Sequence, residues 1–485
     1  MPSLNSHQGR LPFIIICIVL LLLSSNILAQ SKEIPITTNS EKARTLFIEG
    51  RDMMENLQLV KASELFDEAI TTDPNFSMAH IYRALTGVGG FNIVRLHIDS
   101  ALKNLETITD SERDLVLLNI SFIDGNQLKQ KVYLEKLLTN FPKDKRVQTW
   151  AGIYYYTTKD FETAKLHLEK AVDLDKNFAT AYNLLGYTEF ELNDEVKAER
   201  AMQKYISLTP DSPNPYDSYG EILLKSGRYD ESIKQYNLAL TKDPTFTSAI
   251  IGIGNNFIFK NNFSEARINY QKCFDVATNI NNKLEALTWM STSYIHEGKI
   301  DQAISTLNTR IDLARTHNLV PDIVITYTNG CFILTEAGRF TEGLKMLDEA
   351  TKVMGENVLP EETSDALTVQ TNLAKCYTLI SANRLAEAQQ NINSMLQIIN
   401  SRDNISELQQ LNANLAMLEL KRGDYQKAIT HFTKADVTSE LNQYYMGLTY
   451  EKMGNKIKAT EYFTKVKNSR NNNIGLAVVR SRAVD

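Results

Sequence analysis

The sequence predicts an all-α protein that is built from stacked helix-turn-helix repeats. The first observation is a 34-residue pattern between residues 144 and 278, in which a glycine recurs at one position: Gly152, Gly186, Gly220 and Gly254. The second is that a small residue follows each glycine after twelve positions: Ala164, Ala198, Ser232 and Ala266. The third is a large apolar residue four positions further on: Leu168, Met202, Tyr236 and Tyr270. A period of this length is typical of repeat proteins, in which neighbouring units stack to bury a continuous core.

One repeat, residues 179–210, shows why the unit is two helices. Apolar residues recur at helical spacing through its first half, and Asn193 and Asp194 then favour a turn. Apolar residues recur again up to Thr209, where Pro210 ends the second helix because proline cannot continue it. We interpret Gly186 as the point at which the two helices approach closely, since a larger side chain there would overpack the contact.

These residues resemble the tetratricopeptide repeat family (TPR), whose pattern is W-x2-L-G-x2-Y, then A-x3-F, then P. The resemblance is carried by the following positions of two repeats: Tyr182, Leu185, Gly186, Ala198, Met202 and Pro210, and Tyr216, Tyr219, Gly220, Ser232, Tyr236, Ala239 and Pro244. The family's fold is a right-handed α-α superhelix, and about a dozen repeats fit this chain. Residues 210–223 (PDSPNPYDSYGEIL) also resemble a bacterial group of secreted or membrane-tethered TPR proteins.

The N-terminal region, residues 1–29, has the pattern of a secretory signal peptide. Arg10 is followed by an apolar run from Leu11 to Leu23, which is shorter than the roughly 20 residues that span a bilayer. Ala29 suits a cleavage site, which would leave Gln30 as the first residue and no membrane insertion afterwards. The alternative is an uncleaved anchor. The polar residues 30–40 are interpreted as a linker.

The remaining chain is predicted to be one array whose period changes. Residues 41–278 form the N-terminal part, which is irregular at 84–142, and residues 279–467 form a C-terminal part with longer repeats. A polar break then precedes a short amphipathic stretch, so residues 468–485 are interpreted as a capping helix and tail, because the ends of a solenoid need a polar outer surface.

Charge and motifs argue against several classes of function. The formal net charge is −6 with no run of basic residues, which disfavours nucleic-acid binding. The sequence has no nucleophile elbow, P-loop, H-E-x-x-H or C-x-x-C motif, so we expect no enzyme activity, no cofactor and no metal. Three cysteines after the signal region occupy small-residue positions, which predicts buried thiols: Cys273, Cys331 and Cys376. His80 and His97 are close enough in sequence to meet, but we interpret them as surface histidines without a ligand role.

In the TPR family the first helix of each repeat presents its second, fifth, ninth, twelfth and thirteenth positions to the ligand, counting the recurrent small residue as the eighth. We call these positions the first-helix face. The resemblance implies a protein or peptide site at Tyr156, Asn183, Tyr187, Phe190, Asp217, Glu221, Asn255 and Phe259. The equivalent positions of the longer repeats include Thr328, Phe332, Tyr377 and Tyr444. Aromatic residues could instead pack on neighbouring helices, and Asp217 and Glu221 depart from the family's carboxylate-binding pattern.

We therefore expect an exported TPR scaffold of the bacterial envelope that binds a protein or peptide partner without catalysis. The alternative is an envelope protein that captures a glycan or a small ligand with the aromatic residues of its groove. A third possibility is an enzyme whose site lies at the irregular residues 87–90.

Overall fold

The computed structural model describes residues 33–402 and 404–483, so the predicted signal segment lies outside the described residues. All regular secondary structure in the described residues is helical, and consecutive helices pack as pairs, which confirms the predicted all-α fold of stacked helix pairs. The helices are α1 (Glu41–Glu55), α2 (Leu59–Thr72), α3 (Ser77–Leu85), α4 (Phe91–Lys103), α5 (Asp110–Ile123), α6 (Gln127–Asn140), α7 (Lys145–Thr157), α8 (Phe161–Leu174), α9 (Ala179–Glu191), α10 (Glu195–Leu208), α11 (Asn214–Lys225), α12 (Tyr229–Lys242), α13 (Thr247–Phe259), α14 (Phe263–Val276), α15 (Ile280–His296), α16 (Ile300–Thr316), α17 (Val320–Glu336), α18 (Phe340–Gly355), α19 (Glu361–Ser381), α20 (Leu385–Arg402), α21 (Ile405–Arg422), α22 (Tyr425–Phe432), α23 (Glu440–Lys452), α24 (Lys456–Asn468) and α25 (Ile474–Val479).

The turn inside each helix pair has one backbone requirement that recurs through the chain. Seven residues after the recurrent small residue, φ is positive, a conformation that glycine and asparagine adopt most readily. This position is held by Leu57, Gly125, Lys159, Asn193, Gly227, Asn261, Gly298, Gly338, Asn383, Gly423 and Gly454. From Gly125 to Asn261 the spacing is 34 residues, and beyond Asn261 it varies. The backbone therefore follows the repeat register that the small residues define.

The recurrent glycine lies against the large apolar residue sixteen positions later, on the second helix of the same pair. A Cβ atom on Gly254 would lie 2.4 Å from the Tyr270 ring, and one on Gly152 would lie 2.5 Å from Leu168. Real Cβ atoms do not approach other atoms so closely, so only glycine permits this helix contact. The glycine therefore accommodates the bulky residue of the second helix, and not the small residue that lies twelve positions after the glycine.

The irregular region after Ala84 departs from the repeat at the turn between α3 and α4. Gly87, Gly89 and Gly90 all have positive φ. Contrary to the sequence interpretation, His80 and His97 are buried there, with their Nδ1 atoms 3.0 Å apart. His80 Nε2 lies 3.1 Å from the carbonyl oxygen of Pro74, so the ring N–H of His80 points to that carbonyl. His97 then donates from Nδ1 to Nδ1 of His80.

By its internal packing the chain divides into two compact units, after Ala201. In the first unit, residues 33–40, which we expected to be a linker, have no regular secondary structure and lie against three buried acidic residues. The backbone contacts are Ile34 N to Asp144 Oδ2 at 3.0 Å, Thr37 N to Glu112 Oε1 at 2.5 Å, and Asn39 N to Asp73 Oδ2 at 3.0 Å. The segment is therefore part of the packed unit.

The second unit, residues 202–483, contains the change of period that the sequence places near Thr278. Its three cysteines are free and buried, as predicted: Cys273, Cys331 and Cys376. None of the helices in the described residues is both long and apolar enough to span a membrane.

Candidate functional site

The predicted binding residues of the first unit are half-buried rather than freely exposed. Tyr156 packs edge-on against Phe161, with ring centroids 5.4 Å apart. Asn183 has a buried Oδ1 atom without a hydrogen-bond partner in the described residues. Tyr187 and Phe190 lie on the same helix, α9, and are also half-buried. These side chains lie on the predicted first helices, α7 and α9.

Two predicted residues of the second unit, Asp217 and Glu221, lie one turn apart on α11. Burial, with the nearby Glu221 carboxylate, raises the pKa of Asp217 to about 8. Glu221 itself pairs with Lys225, at 3.0 Å between Oε1 and Nζ. A carboxyl that holds its proton near neutral pH can donate a hydrogen bond, so Asp217 offers different recognition chemistry from an ordinary aspartate.

The last two predicted residues, Asn255 and Phe259, are already in contact with another part of the chain. Asn255 Oδ1 accepts hydrogen bonds from the hydroxyl of Tyr270 at 2.7 Å and from Nδ2 of Asn472 at 2.8 Å. Phe259 is 5% exposed, and the guanidinium of Arg480 lies 4.9 Å from its ring centroid. Phe259 is therefore covered by the chain's own residues in this structure, and its role in partner binding stays a prediction.

An open cleft of about 360 Å³ lies elsewhere in the second unit, on the first helices of four consecutive repeats. Its walls come from α17, α19, α21 and α23. The lining residues are Thr328, Asn329, Phe332, Gln370, Leu373, Ala374, Tyr377, Ser406, Gln409, Gln410, Ala413, Asn414, Met417, Asp436, Ser439, Leu441, Asn442 and Tyr445.

The chemistry of this cleft combines an apolar floor with many amides. Phe332 and Tyr377 pack with ring centroids 5.5 Å apart, and Met417 lies beside them. Among the described residues, the side chains of Asn329 and Gln409 make no hydrogen bond. An amide side chain can both donate to and accept from a peptide bond, and aromatic side chains supply rigid contact area.

The repeat register explains the position of the cleft. Its lining includes second, fifth and ninth positions of successive first helices, which belong to the first-helix face. These are Thr328 and Phe332 on α17, Gln370, Leu373 and Tyr377 on α19, and Gln410, Ala413 and Met417 on α21. Sequence reasoning named Thr328, Phe332 and Tyr377 as equivalents but missed Gln370 and Gln410, which the same register would have found; Asn329 and Gln409 lie at positions outside that register.

A buried carboxylate, Glu336, adjoins the cleft through two of its tyrosines. Its side chain is 3% exposed and accepts hydrogen bonds from the hydroxyls of Tyr377 and Tyr445. Arg482 supplies the positive charge, with Nη1 2.7 Å from Glu336 Oε2 and Nη2 2.8 Å from its carbonyl oxygen. Since a buried charge without a partner is costly, the ion pair with Arg482 is what stabilises Glu336 at this end of the cleft.

Two sequence models of the tetratricopeptide repeat match this chain, one over residues 150–213 and one over residues 214–246. Superkiller complex protein 3 of Homo sapiens is 24% identical over 264 residues, which are 52% of this chain and 15% of that protein. BBSome complex member BBS4 of Bos taurus is 27% identical over 141 residues, which are 29% of this chain and 27% of that protein. The chain thus spans less than a third of the length of these two relatives.

Solved structures also resemble this chain. The crystal structure of MamA protein has 23% sequence identity and a TM-score of 0.29, and the match covers 34% of this chain and 91% of that chain. The crystal structure of TTC0263, a thermophilic TPR protein in Thermus thermophilus, has 18% identity and a TM-score of 0.28, with 44% of this chain and 99% of that chain covered.

Proposed function

We propose that this chain, which carries repeats of the tetratricopeptide type, is a non-catalytic scaffold that binds a peptide segment of a protein partner. The observation that carries the proposal is the cleft on α17, α19, α21 and α23. It is concave, its floor is aromatic and its walls carry amides, which suits a polypeptide with both apolar side chains and backbone hydrogen-bonding groups.

Two further points support a protein partner. Protein interaction is the general role of TPR repeats, and the two relatives are named as members of protein complexes. At one end of the cleft Glu336 binds the chain's own Arg482, so this part of the face accepts a basic side chain.

A displayed library of random peptides tests the proposal. Peptides selected on the full-length protein should lose about ten-fold or more in affinity on the double variant Asn329→Ala and Gln409→Ala, because both amides face the cleft without a partner. The matched control is Gln390→Ala, which removes an exposed amide of the second helix α20. Equal loss in the control, or no loss in the double variant, would contradict the proposed site.

Export is the second part of the proposal and is supported by the pattern of residues 1–29. Intact mass spectrometry of the protein, after expression in a bacterium with its own leader, should give a chain that begins at or near Gln30. An unprocessed mass in a membrane pellet would show that the leader is kept as an anchor.

A further inference from the structure

The segment of residues 469–483 lies against first helices far from it in sequence. Its helix α25 contacts α15, α17 and α23. The four residues from Leu476 to Val479 are each at most 5% exposed, so the helix is enclosed on all sides instead of having the polar outer surface expected of a cap. A helix of six residues is not stable alone in water, so α25 depends on this enclosure.

Three residues that the segment contacts occupy the same position in three consecutive repeats. Each lies five residues after the recurrent small residue, at the thirteenth position of the first-helix face: Phe259 after Gly254, His296 after Ser291, and Glu336 after Cys331. Arg480 lies over Phe259, Asn472 accepts a hydrogen bond from His296 Nε2 at 3.0 Å, and Arg482 pairs with Glu336. The segment therefore uses the face on which a ligand is expected.

Polar contacts fix the segment at both ends of its helix. Before α25, the carboxylate of Glu440 accepts hydrogen bonds from Ser469, Asn471 and Asn473, at 2.7, 3.0 and 3.1 Å. After α25, the guanidinium of Arg482 neutralises the carboxylate of Glu336. Along the sequence, the segment thus has asparagine residues, then a short apolar helix, and then an arginine.

The segment fills only part of the available surface. Tyr377 and Tyr445, which hold Glu336, also line the open cleft, so the cleft continues from the point where Arg482 is bound. A longer polypeptide with the same chemistry would reach both the site of α25 and the open cleft. It would gain contacts that the chain's own segment does not make.

We propose that residues 469–483 are an intramolecular ligand that covers part of the first-helix face of the second unit until a partner displaces it. The partner would carry a short apolar helix preceded by asparagine and followed by arginine, with further residues that enter the cleft. This inference rests on the proposed function, because it specifies the partner and the regulation of the same peptide-binding face.

The test uses a fluorescently labelled synthetic peptide of residues 469–483 (SRNNNIGLAVVRSRA), added to full-length protein. The peptide should bind full-length Arg482→Glu and Leu476→Asp variants about ten-fold or more tightly than the wild type, because either change weakens the resident competitor. The matched control is Ser481→Glu, which alters an exposed residue of the same segment and should leave the wild-type affinity unchanged. A labelled peptide with Arg482→Glu should bind poorly to every protein.

Hydrogen exchange of the unmodified full-length chain is the second measurement, and it does not depend on how the variants fold. The amides of Leu476–Val479 should exchange faster than those of α23, since the segment leaves without global unfolding. Exchange of both at one rate, or equal peptide affinity for wild type and variants, would overturn the inference. If the wild type instead forms a dimer at higher concentration, the segment of a second copy occupies the face. That result would overturn the proposal of a separate partner.

The two proposals fail in different ways. Library peptides that bind the wild type and Arg482→Glu with equal affinity would overturn the intramolecular ligand and leave the peptide-binding function intact. If neither protein captures a library peptide, the proposed function fails, whereas tight binding of the 469–483 peptide to the variants would still support the intramolecular contact.

Discussion

At the scale of single residues, the repeat depends on a steric match between a glycine and a ring. Gly254 lies where any side chain would collide with Tyr270, and Tyr270 is fully buried, so the ring has no free space into which it could move. Gly50 meets Phe66, and Gly447 meets Phe463, in the same way. The match recurs because each pair packs two helices at the same place.

We predict that Gly254→Leu lowers the free energy of unfolding by about 1–3 kcal/mol or more through overpacking. The control is Gly355→Leu at the end of α18, where φ is not positive and nothing lies near the added Cβ. Gly90 is a poor control because its φ of +78° strains any side chain. Urea unfolding followed by circular dichroism measures both variants, and equal losses would contradict the steric account.

The buried pair of His80 and His97 predicts a loss of stability in mild acid. Burial and the neighbouring His80 ring lower the pKa of His97 to about 4, and burial lowers that of His80 as well. An unfolded histidine titrates near 6.5, so between about pH 6.5 and 4 the unfolded state binds more protons. Stability should therefore fall as the pH is lowered through this range.

The variant His97→Gln tests whether the buried histidine pair causes this loss of stability. Its urea midpoint should fall less between pH 7 and pH 5 than the wild-type midpoint does, whatever its stability at pH 7. His317→Gln, which alters an exposed histidine, should retain the wild-type dependence. If His97→Gln keeps the full acid dependence, the loss arises from other groups.

At the scale of helices and turns, the turn inside each pair stores strain where glycine or asparagine is missing. Leu57 has φ of +56° in the turn between α1 and α2, a conformation that costs an ordinary residue about 1 kcal/mol. We predict that Leu57→Asn raises stability by up to that amount. The control Leu166→Asn, which alters another exposed leucine in the interior of helix α8, should lower stability because asparagine is a poorer helix former. Chemical denaturation that gives the same sign for both would refute the explanation.

Most helices could be predicted from the sequence because their turns and contacts are local. Asn193 and Gly227 mark turns that the backbone requires, and Gly254 marks a contact sixteen residues away. The position of α25 could not be predicted in this way. Its apolar residues indicate a short helix, but its contacts join Asn472 to Asn255 and Arg482 to Glu336, and no local pattern encodes such distant pairs.

At the scale of the whole chain, the register predicted which face could bind but not which part of it is open. The positions of Asn255 and Phe259 belong to the predicted face, yet the chain's own residues cover them. Thr328, Phe332 and Tyr377 hold equivalent positions and line the open cleft. Whether a position of the first-helix face is covered or open depends on long-range packing. Residues at the same position in different repeats therefore differ in exposure.

The long-range contacts of α25 also predict how the chain responds to truncation. Repeat arrays tolerate removal of repeats, because each unit contacts mainly its neighbours. A fragment of residues 195–485 keeps α13, and with it Asn255 and Phe259, whereas a fragment of residues 279–485 lacks both contacts. The amides of Leu476–Val479 should therefore exchange faster in the shorter fragment than in the longer one. The amides of α24 are the internal control, since the packing of α24 on α23 is present in both fragments. If α25 is equally protected in the two fragments, the contacts with α13 do not hold the segment, and its docking depends on its contacts with α15, α17 and α23.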